Sequence, residues 1–240
     1  MNLIACKFGG TSLADATQFK KVASIVRANA GRRAVVVSAP GKRNKQDPKI
    51  TDILLSIHDL VSRELDPDPS FALLRERFLE IERELAVDAG MAACLKAFQI
   101  SVLAGADRDW IASRGEHFSA RIMAAYLGGT FVEPEGAVFL TANGLVDDKT
   151  WTELPKRLPE NGIAVMPGFY GTGPHNKVKT FSRGTAYIVL FFSAGDPSRG
   201  RALRLAESLQ ASAERVSTVA IAALDRKGAM TNLAWLERNK

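Results

Sequence analysis

The sequence predicts an α/β fold in which a mainly parallel sheet is sandwiched by helices. Residues 3–8 form a short apolar run that ends in a glycine turn, and residues 14–29 then show helical spacing. Residues 34–38 form a continuous β-branched run that ends in a Pro-Gly turn. Such an uninterrupted apolar strand is typical of a parallel sheet covered on both faces. The chain therefore opens with a strand, a helix and a second strand.

Later segments continue the alternation of helices and strands. Residues 51 to about 112 are helical in pattern, with two apolar stripes that Asp66-Pro67-Asp68-Pro69 separates into two helices. A further helix is predicted over residues 119–127, where Gly128-Gly129 ends it. Residues 130–132 and 163–166 are predicted strands. No internal repeat or linker marks a domain boundary within the first 180 residues.

Composition excludes several classes of protein. The 240 residues are 46% hydrophobic and 24% charged, which is typical of a globular protein rather than a disordered or fibrous one. The net charge of +6 is spread along the chain, without the aromatic-interleaved basic stripe of a nucleic-acid partner. Cys6 and Cys94 do not suggest a disulfide framework, and no apolar run is long enough to span a membrane. We expect no signal peptide and a cytoplasmic location.

The turn after the first strand is a candidate anion site. Gly9 and Gly10 let backbone N–H groups approach a phosphate, and a helix start carries partial positive charge. Lys7, if it ends a buried strand, needs an anionic partner. The alternative is an ordinary strand-to-helix turn in which Thr11 or Ser12 caps the helix. The turn is not a Walker A loop, because the chain lacks that loop's glycine and lysine spacing.

Three further segments are ambiguous when each is taken alone. Residues 113–119 have the pattern of a solvated turn with capping residues before a helix. Residues 165–171 suit either a hairpin or a loop that lines a substrate site. Residues 179–184 contain Arg183, which can bind a carboxylate through two hydrogen bonds. The three histidines lack the spacing of metal ligands, so we expect no structural metal site.

Taken together and in order, these segments resemble the aspartokinase branch of the amino acid kinase family. The matching strings are Lys-Phe-Gly-Gly-Thr-Ser (7–12), Val-Val-Val-Ser-Ala-Pro-Gly-Lys (35–42), Ile-Thr-Asp (50–52), Ser-Arg-Gly-Glu (113–116), Pro-Gly-Phe (167–169) and Thr-Phe-Ser-Arg-Gly (180–184). The resemblance covers residues 1 to about 184. The fold that it implies is the three-layer amino acid kinase fold, with an incomplete C-terminal part.

The resemblance implies that L-aspartate is phosphorylated on its β-carboxylate by ATP with Mg²⁺, on the route to lysine, threonine and methionine. Lys7 would neutralise charge on the transferring phosphoryl group, which Gly9, Gly10 and Ser38 would hold. The aspartate pocket would consist of Thr51, Glu116, Phe169 and Arg183, with Glu116 on the substrate ammonium and Arg183 on its α-carboxylate. Phosphoryl transfer requires such positioning and cationic stabilisation. We expect neither a nucleic-acid nor a membrane partner, and a homodimer is left open.

The sequence departs from the family after residue 184. Family members continue with Gly-Ser-Asp and a helix, whereas this chain has Thr185-Ala186-Tyr187 and a strand-like run over residues 187–192. Asp225 and Gly228 faintly resemble the family's nucleotide-binding turn. We therefore expect residues 1–184 to form the aspartate- and phosphoryl-binding part, and residues 185–240 a divergent, shortened nucleotide-binding part. No regulatory domain is apparent, so feedback by lysine or threonine is not expected.

Several alternatives stay open at this point. The chain is either an aspartate kinase, with turnover impaired by the altered segment, or a non-catalytic remnant that binds aspartate or a partner protein. Residues after Gly184 have a composition that also fits a rearranged or frameshifted gene. A kinase for glutamate, acetylglutamate or carbamate is less favoured, because residues 113–116 and the long helical insertion match aspartokinases.

Overall fold

The computed structural model describes residues 4–181 and the backbones of two further strands. In chain order the elements are β1 (Ile4–Phe8), α1 (Ala16–Arg27), β2 (Arg32–Val37), α2 (Ile50–Ser62), α3 (Asp68–Leu85), α4 (Met91–Leu103), α5 (Arg108–Leu127), β3 (Thr130–Phe131), α6 (Thr150–Arg157), β4 (Ala164–Pro167), β5 (Tyr170–Thr172), β6 (Val178–Thr180), β7 (Tyr187–Phe192) and β8 (Thr218–Ala223). Short 3₁₀ turns follow β1 and β5.

Four of these strands form one sheet in the order β1, β2, β4, β3. Strand β2 runs parallel to β4, with Ala34 opposite Ala164 and Val37 opposite Pro167. Strand β3 is also parallel to β4. The predicted parallel sheet with flanking helices is therefore confirmed. Parallel strands end at the same edge of a sheet, so the loops that follow β1, β2 and β4 are brought close together.

The chain divides into two compact units. The larger unit contains Cys6–Glu133 and Asn161–Phe169, and it carries helices α1 to α5. The smaller unit contains Met1–Ala5, Pro134–Glu160 and Tyr170–Lys240. Within the described parts of both units, no helix is long and apolar enough to cross a bilayer.

The core of the larger unit lies between the sheet and the helices. Helix α5 contacts β2, β3 and β4, and α1 contacts β2. The rings of Phe78, Phe98 and Phe118, from α3, α4 and α5, meet edge to face, with centroids 5.2 Å apart for Phe78–Phe118 and 5.8 Å for Phe98–Phe118. Full burial of each such side chain stabilises the fold by about 1.5–3 kcal/mol. This packing fixes α5 against the sheet.

The helical region has more segments than the sequence predicted. Two helices were expected between residues 51 and 112, but α2, α3, α4 and the start of α5 occupy it. Ala86 ends α3 in the left-handed conformation, with φ of 53°, and Gly90 caps α4 with φ of 69°. The break after Ser62, near the Asp-Pro repeat, is confirmed.

The prediction of a turn at residues 113–119 is wrong. Helix α5 begins at Arg108 instead of residue 119, so this segment lies in the middle of a 20-residue helix and is mostly buried. Asp107 precedes the first turn as its N-cap residue. Ile111, Phe118 and Ile122 are buried on this helix, at spacings that fit one helical face. This helical spacing of apolar residues continues through residues 113–119, but Gly115 made it hard to recognise in the sequence.

The described part of the smaller unit is built around two strand pairs. Strands β5 and β6 are antiparallel, and the parallel strands β7 and β8 pair from Tyr187 with Thr218 to Phe192 with Ala223. The strand predicted at residues 187–192 is therefore confirmed. Because β5 pairs with β6 whereas β4 pairs with β2 and β3, residues 165–171 do not form a hairpin.

Candidate active site

Three loops meet the carboxyl edge of the parallel sheet within the larger unit. Residues 9–11 follow β1, residues 38–41 follow β2, and residues 168–169 follow β4. The amide of Ser38 donates to the carbonyl of Phe8 over 3.1 Å, and that of Gly168 donates to Val37 over 2.9 Å. The carboxyl edge is where ligands usually bind in open α/β sheets.

Two of these loops interlock, and we call residues 9–11 and 38–41 together the glycine cradle. The amide of Gly41 donates to the carbonyl of Gly10 over 2.8 Å. A Cβ atom on Gly10 would lie 2.9 Å from the carbonyl oxygen of Ala39, a distance that real side chains do not tolerate. By contrast, no described atom lies within 4 Å of a Cβ placed on Gly9. The cradle is thus closed where its loops cross and open beside Gly9.

Glu116 lies next to the cradle and is almost fully buried, with 5% of its surface exposed. Burial raises the pKa of its carboxyl group to about 7, although a backbone hydrogen bond from Ala39 and the charge of Lys7 oppose that rise. Its Oε2 atom has no hydrogen-bond partner among the described residues. A buried carboxylate oxygen without a donor is costly, so this atom is suited to a cationic or hydrogen-bonding ligand.

The position of Glu116 depends on its neighbour Gly115. A Cβ atom on Gly115 would lie 2.7 Å from the Cβ of Ala39 and 3.0 Å from a methyl group of Ile50. Helix α5 can therefore approach the cradle and the start of α2 only with glycine at this position. This close approach places the Glu116 carboxylate beside the Ala39 amide.

Phe169 has a backbone conformation that is rare for its residue type. Its φ angle is 83°, in the left-handed region that favours glycine, and it directly follows the Pro167-Gly168 turn. Such a conformation costs on the order of 1–3 kcal/mol and is frequent at ligand sites. The ring is half-buried at the carboxyl edge of the sheet.

Lys7 and Thr51 lie in the same unit as Glu116. Lys7 is in β1 but exposed, so the expectation that it ends a buried strand is wrong. Its charge nevertheless acts on Glu116. Thr51 is half-buried in the first turn of α2, next to Ile50, whose amide donates to the carbonyl of Pro40 in the cradle over 3.5 Å.

The structure places seven of the ten residues expected to form the site in the larger unit, in or next to the elements that meet at the carboxyl edge of its sheet. These are Lys7, Gly9, Gly10, Ser38, Thr51, Glu116 and Phe169. The other three, Arg183, Asp225 and Gly228, lie outside the described residues. Sequence reasoning did not single out Gly41 or Gly115 as site residues, although both belong to the strings that carried the resemblance.

The arrangement is suited to binding an anion and a cation side by side. The cradle offers backbone groups beside the open position at Gly9, with the ammonium of Lys7 on the preceding strand. The buried Glu116 carboxylate offers the opposite charge to a ligand ammonium. A zwitterionic amino acid next to a phosphate satisfies both requirements.

Comparison with known proteins identifies the family of this chain. Residues 2–195 match the model of the amino acid kinase family. The chain is 32% identical over 193 residues to aspartokinase 3 of Bacillus subtilis, covering 74% of this chain and 42% of that protein. It is 28% identical over 211 residues to the chloroplastic aspartokinase 1 of Arabidopsis thaliana, covering 74% and 35%. The chain therefore spans less than half the length of these relatives.

Solved structures give the same picture of the fold. Clostridium acetobutylicum aspartate kinase superimposes with a TM-score of 0.74 and 38% identity, over 77% of this chain and 43% of that one. Escherichia coli aspartokinase III, in a complex with aspartate and ADP, superimposes with a TM-score of 0.64 and 20% identity. That alignment covers 92% of this chain and 49% of the other. At 20% identity, the second likeness concerns the fold alone.

Proposed function

This chain belongs to the amino acid kinase family, and we propose that it is an aspartate kinase. The proposed reaction transfers the γ-phosphoryl group of ATP to the β-carboxylate of L-aspartate. A carboxylate oxygen attacks the γ-phosphorus, the bond from that phosphorus to the bridging oxygen breaks, and ADP and 4-phospho-L-aspartate form. The sequence relatives cited above are aspartokinases, which supports this substrate.

The observation that carries the proposal is the buried Glu116 carboxylate beside the glycine cradle. Its unpartnered Oε2 atom is available to the ammonium of an amino acid substrate. The cradle is available to the phosphoryl group that is transferred to that substrate. An amino acid kinase requires these two sites as neighbours, because the reacting atoms must lie about 3–3.5 Å apart.

Each cradle residue has a proposed role in the transfer. Gly9 and Gly10 hold the phosphoryl oxygens through backbone N–H groups, and Ser38 adds its hydroxyl or amide. Lys7 is a compact cation that offsets negative charge on the transferring group. Its exposure leaves the ammonium accessible to an incoming nucleotide. Mg²⁺ would arrive on the ATP phosphates, where it neutralises charge and keeps several of its waters.

The proposed aspartate pocket combines Thr51, Glu116, Phe169 and Arg183. Glu116 binds the ammonium group, and Arg183 binds the α-carboxylate through two hydrogen bonds. The side chains of Phe169 and Thr51, both half-buried, would line the space beside the cradle. Recognition of both charged groups selects an α-amino acid over a simple dicarboxylic acid.

We extend the proposal to the organisation of the chain. Residues 1–184 would provide the aspartate- and phosphoryl-binding part, and residues 185–240 would contribute to nucleotide binding through Asp225 and Gly228. The reaction would serve lysine, threonine and methionine synthesis in the cytoplasm. The family match over residues 2–195 supports a kinase assignment for the larger of these parts.

Calorimetric titration of the purified chain tests the substrate. L-aspartate should bind about tenfold or more tightly than L-glutamate, because one extra methylene misplaces a charged group against fixed partners. Succinate, which lacks the ammonium, is the matched control for Glu116 and should bind least. Equal affinity for aspartate and glutamate would contradict the proposed pocket.

One observation favours a second candidate function, a non-catalytic aspartate-binding remnant. Strand β7 occupies Tyr187–Phe192, where the resemblance leads us to expect a helix preceded by an aspartate. The proposed pocket residues all precede this segment in the sequence, so we propose that aspartate binding survives its alteration. Aspartate binding without release of ADP from Mg-ATP would favour the remnant over the kinase.

A further inference from the structure

Arg77 is a buried cation next to the glycine cradle. It has no role in the function proposed above. It lies on α3 with 3% of its surface exposed. Its Nη1 atom donates to the carbonyl of Gly41 over 3.1 Å and to that of Ala14 over 3.4 Å. Gly41 belongs to one loop of the cradle, and Ala14 directly follows the 3₁₀ turn that contains Gly10. One guanidinium therefore holds both chain segments.

The other end of the Arg77 guanidinium pairs with Asp47. This carboxylate accepts a hydrogen bond from Arg77 Nη2 and is itself buried. It also accepts from the backbone amide of Arg43 over 3.0 Å and from Arg43 Nη2 over 3.1 Å. Asp47 therefore ties the loop between Gly41 and α2 both to Arg43 within that loop and to Arg77 on α3.

Asp47 is ionised at neutral pH. Burial alone would raise the pKa of Asp47, but the hydrogen bonds from Arg43 and the charge of Arg77 lower it to about 2. A second ion pair joins Arg43 to Glu80 of α3 over 2.8 Å. The segment from Gly41 to Asp47 is thus attached to α3 at two points, one buried and one at the surface.

We propose that Arg77 is a positioning residue that sets the separation of the two loops of the glycine cradle. One of its two carbonyl contacts is Gly41, whose amide hydrogen bonds to Gly10, and the other is Ala14, four residues after Gly10 in the chain. Charge-assisted hydrogen bonds are stronger and more directional than neutral ones, so they define the spacing of the groups they join. The consequence for phosphoryl binding rests on the proposed kinase function.

A purely stabilising role would not need an arginine at this position. A buried ion pair contributes little net stability compared with apolar residues of the same volume. The planar guanidinium, however, can donate to two carbonyls and a carboxylate at once, which a lysine ammonium cannot match in geometry. The three acceptors of Arg77 belong to two segments that are distant in sequence, one at Ala14 and one from Gly41 to Asp47, which is the arrangement expected for alignment.

The test compares Arg77→Met with Arg75→Met in the full chain. Arg75 lies on the same helix but is exposed, and its Nη2 atom donates to Gln99 over 3.0 Å, so its replacement controls for the loss of an arginine from α3. Amide hydrogen exchange is measured for peptides covering residues 8–15 and 38–49, without ligand. Affinities for Mg-AMPPNP, a non-hydrolysable ATP analogue that keeps a γ-phosphoryl group, and for L-aspartate are then measured by calorimetry, well below the melting temperature.

We expect Arg77→Met to speed amide hydrogen exchange in both peptides by about tenfold or more. The lost hydrogen bonds should lower the free energy of local opening by about 1.4 kcal/mol or more, which corresponds to that factor. Affinity for Mg-AMPPNP should fall about tenfold, and affinity for aspartate should fall less. Arg77→Lys, which keeps a charge opposite Asp47, should change each quantity in the same direction but less. Arg75→Met should leave all of them near the wild-type values.

A lower melting temperature for Arg77→Met with unchanged exchange and ligand affinity would overturn the proposal, because Arg77 would then only stabilise the fold. If Arg77→Met does not fold, Arg77→Lys decides the matter by the same measurements. If the wild-type chain binds neither Mg-AMPPNP nor aspartate, the proposed function fails. The exchange measurements then still show whether Arg77 holds the two loops of the cradle at their separation.

Discussion

At the scale of single residues, Glu116 combines burial with an incomplete set of hydrogen bonds. Its carboxyl pKa of about 7 lies above the ordinary value of 4.5 because burial disfavours the charged form. The folded chain therefore holds this proton more tightly than the unfolded chain does. Stability should fall as the pH rises from about 4.5 to about 7 and then level off, since the group is ionised in both states above that range.

The same pKa predicts how aspartate binding depends on pH. Ionised Glu116 binds an ammonium group, and its ionised fraction rises through pH 7 while the substrate ammonium stays protonated. Affinity for L-aspartate should therefore increase about tenfold between pH 6 and pH 8. Calorimetry over this range measures the change. Glu116→Gln should bind aspartate weakly and without this pH dependence, and a persistent slope in that variant would assign it to another group.

At the scale of elements, α5 links the hydrophobic core to the candidate site. Its buried apolar residues pack against the sheet and the other helices, while Glu116 on the same helix lies beside the cradle. The helix can do both because Gly115 lets its backbone approach Ala39 and Ile50. A glycine within a helix normally costs about 0.5–1 kcal/mol relative to alanine. Here the close packing of α5 against Ala39 and Ile50 requires a glycine, which outweighs that cost.

Gly115→Ala should consequently destabilise the protein, opposite to the usual effect of this change in a helix. The added methyl group would lie 2.7 Å from Ala39 Cβ, so overpacking should cost about 1–3 kcal/mol. Denaturant unfolding measures the loss, and aspartate affinity should fall because Glu116 moves.

Ala39→Gly provides the matched test, since it removes the nearest clashing atom. Combined with Gly115→Ala, it should recover part of the lost stability, and the double-mutant cycle should show favourable coupling of about 0.5 kcal/mol or more. Additive effects of the two substitutions would mean that this contact does not limit the approach of α5.

At the scale of the whole molecule, parallel topology gathers residues that are distant in sequence. Strands β1, β2 and β4 end at one edge, so residues near positions 9, 39 and 168 become neighbours. The covered sheet places this edge next to a water-poor interior, where charge-assisted hydrogen bonds are stronger. The fold thus supplies both the proximity and the electrostatic setting that phosphoryl transfer requires.

The altered segment after residue 184 predicts slow chemistry with aspartate binding preserved. Family members have Gly-Ser-Asp where this chain has Thr185-Ala186-Tyr187, and β7 begins at that tyrosine. Loss of the acidic group and of a helix start could cost a few kcal/mol each in transition-state stabilisation. We therefore expect 4-phospho-L-aspartate formation to be absent or well below about 1 s⁻¹.

Hydroxylamine trapping of the acyl phosphate, with Mg-ATP and saturating aspartate, measures this rate. The combined variant Thr185→Gly, Ala186→Ser, Tyr187→Asp should increase it, and its aspartate affinity, measured alongside, should match that of the wild type. Robust product from the unmodified chain would show that another group performs the work of the absent aspartate.

The sequence predicted the sheet and most of the candidate site because these depend on local patterns. Continuous apolar strands, glycine turns and a set of ordered short strings identified β1, β2, β4 and the residues that follow them. The segment around Ser113 was misjudged because its polar and glycine residues are typical of a turn when considered locally. Only packing shows that its serine, arginine and glutamate are buried within α5.

The sequence by itself therefore determined the α/β class, the parallel sheet and the family resemblance, all of which follow from hydrophobic periodicity and short motifs. Tertiary structure alone decided that Gly115 brings α5 against Ala39 and that Glu116 is buried with an unpartnered oxygen. It also decided that Arg77 reaches Gly41 in one loop of the cradle and Ala14, which lies shortly after the other loop. These properties depend on distances between segments dozens of residues apart. Only the packed chain fixes such distances. The burial of a side chain, and the cost of removing it from water, depend on every segment that packs around it.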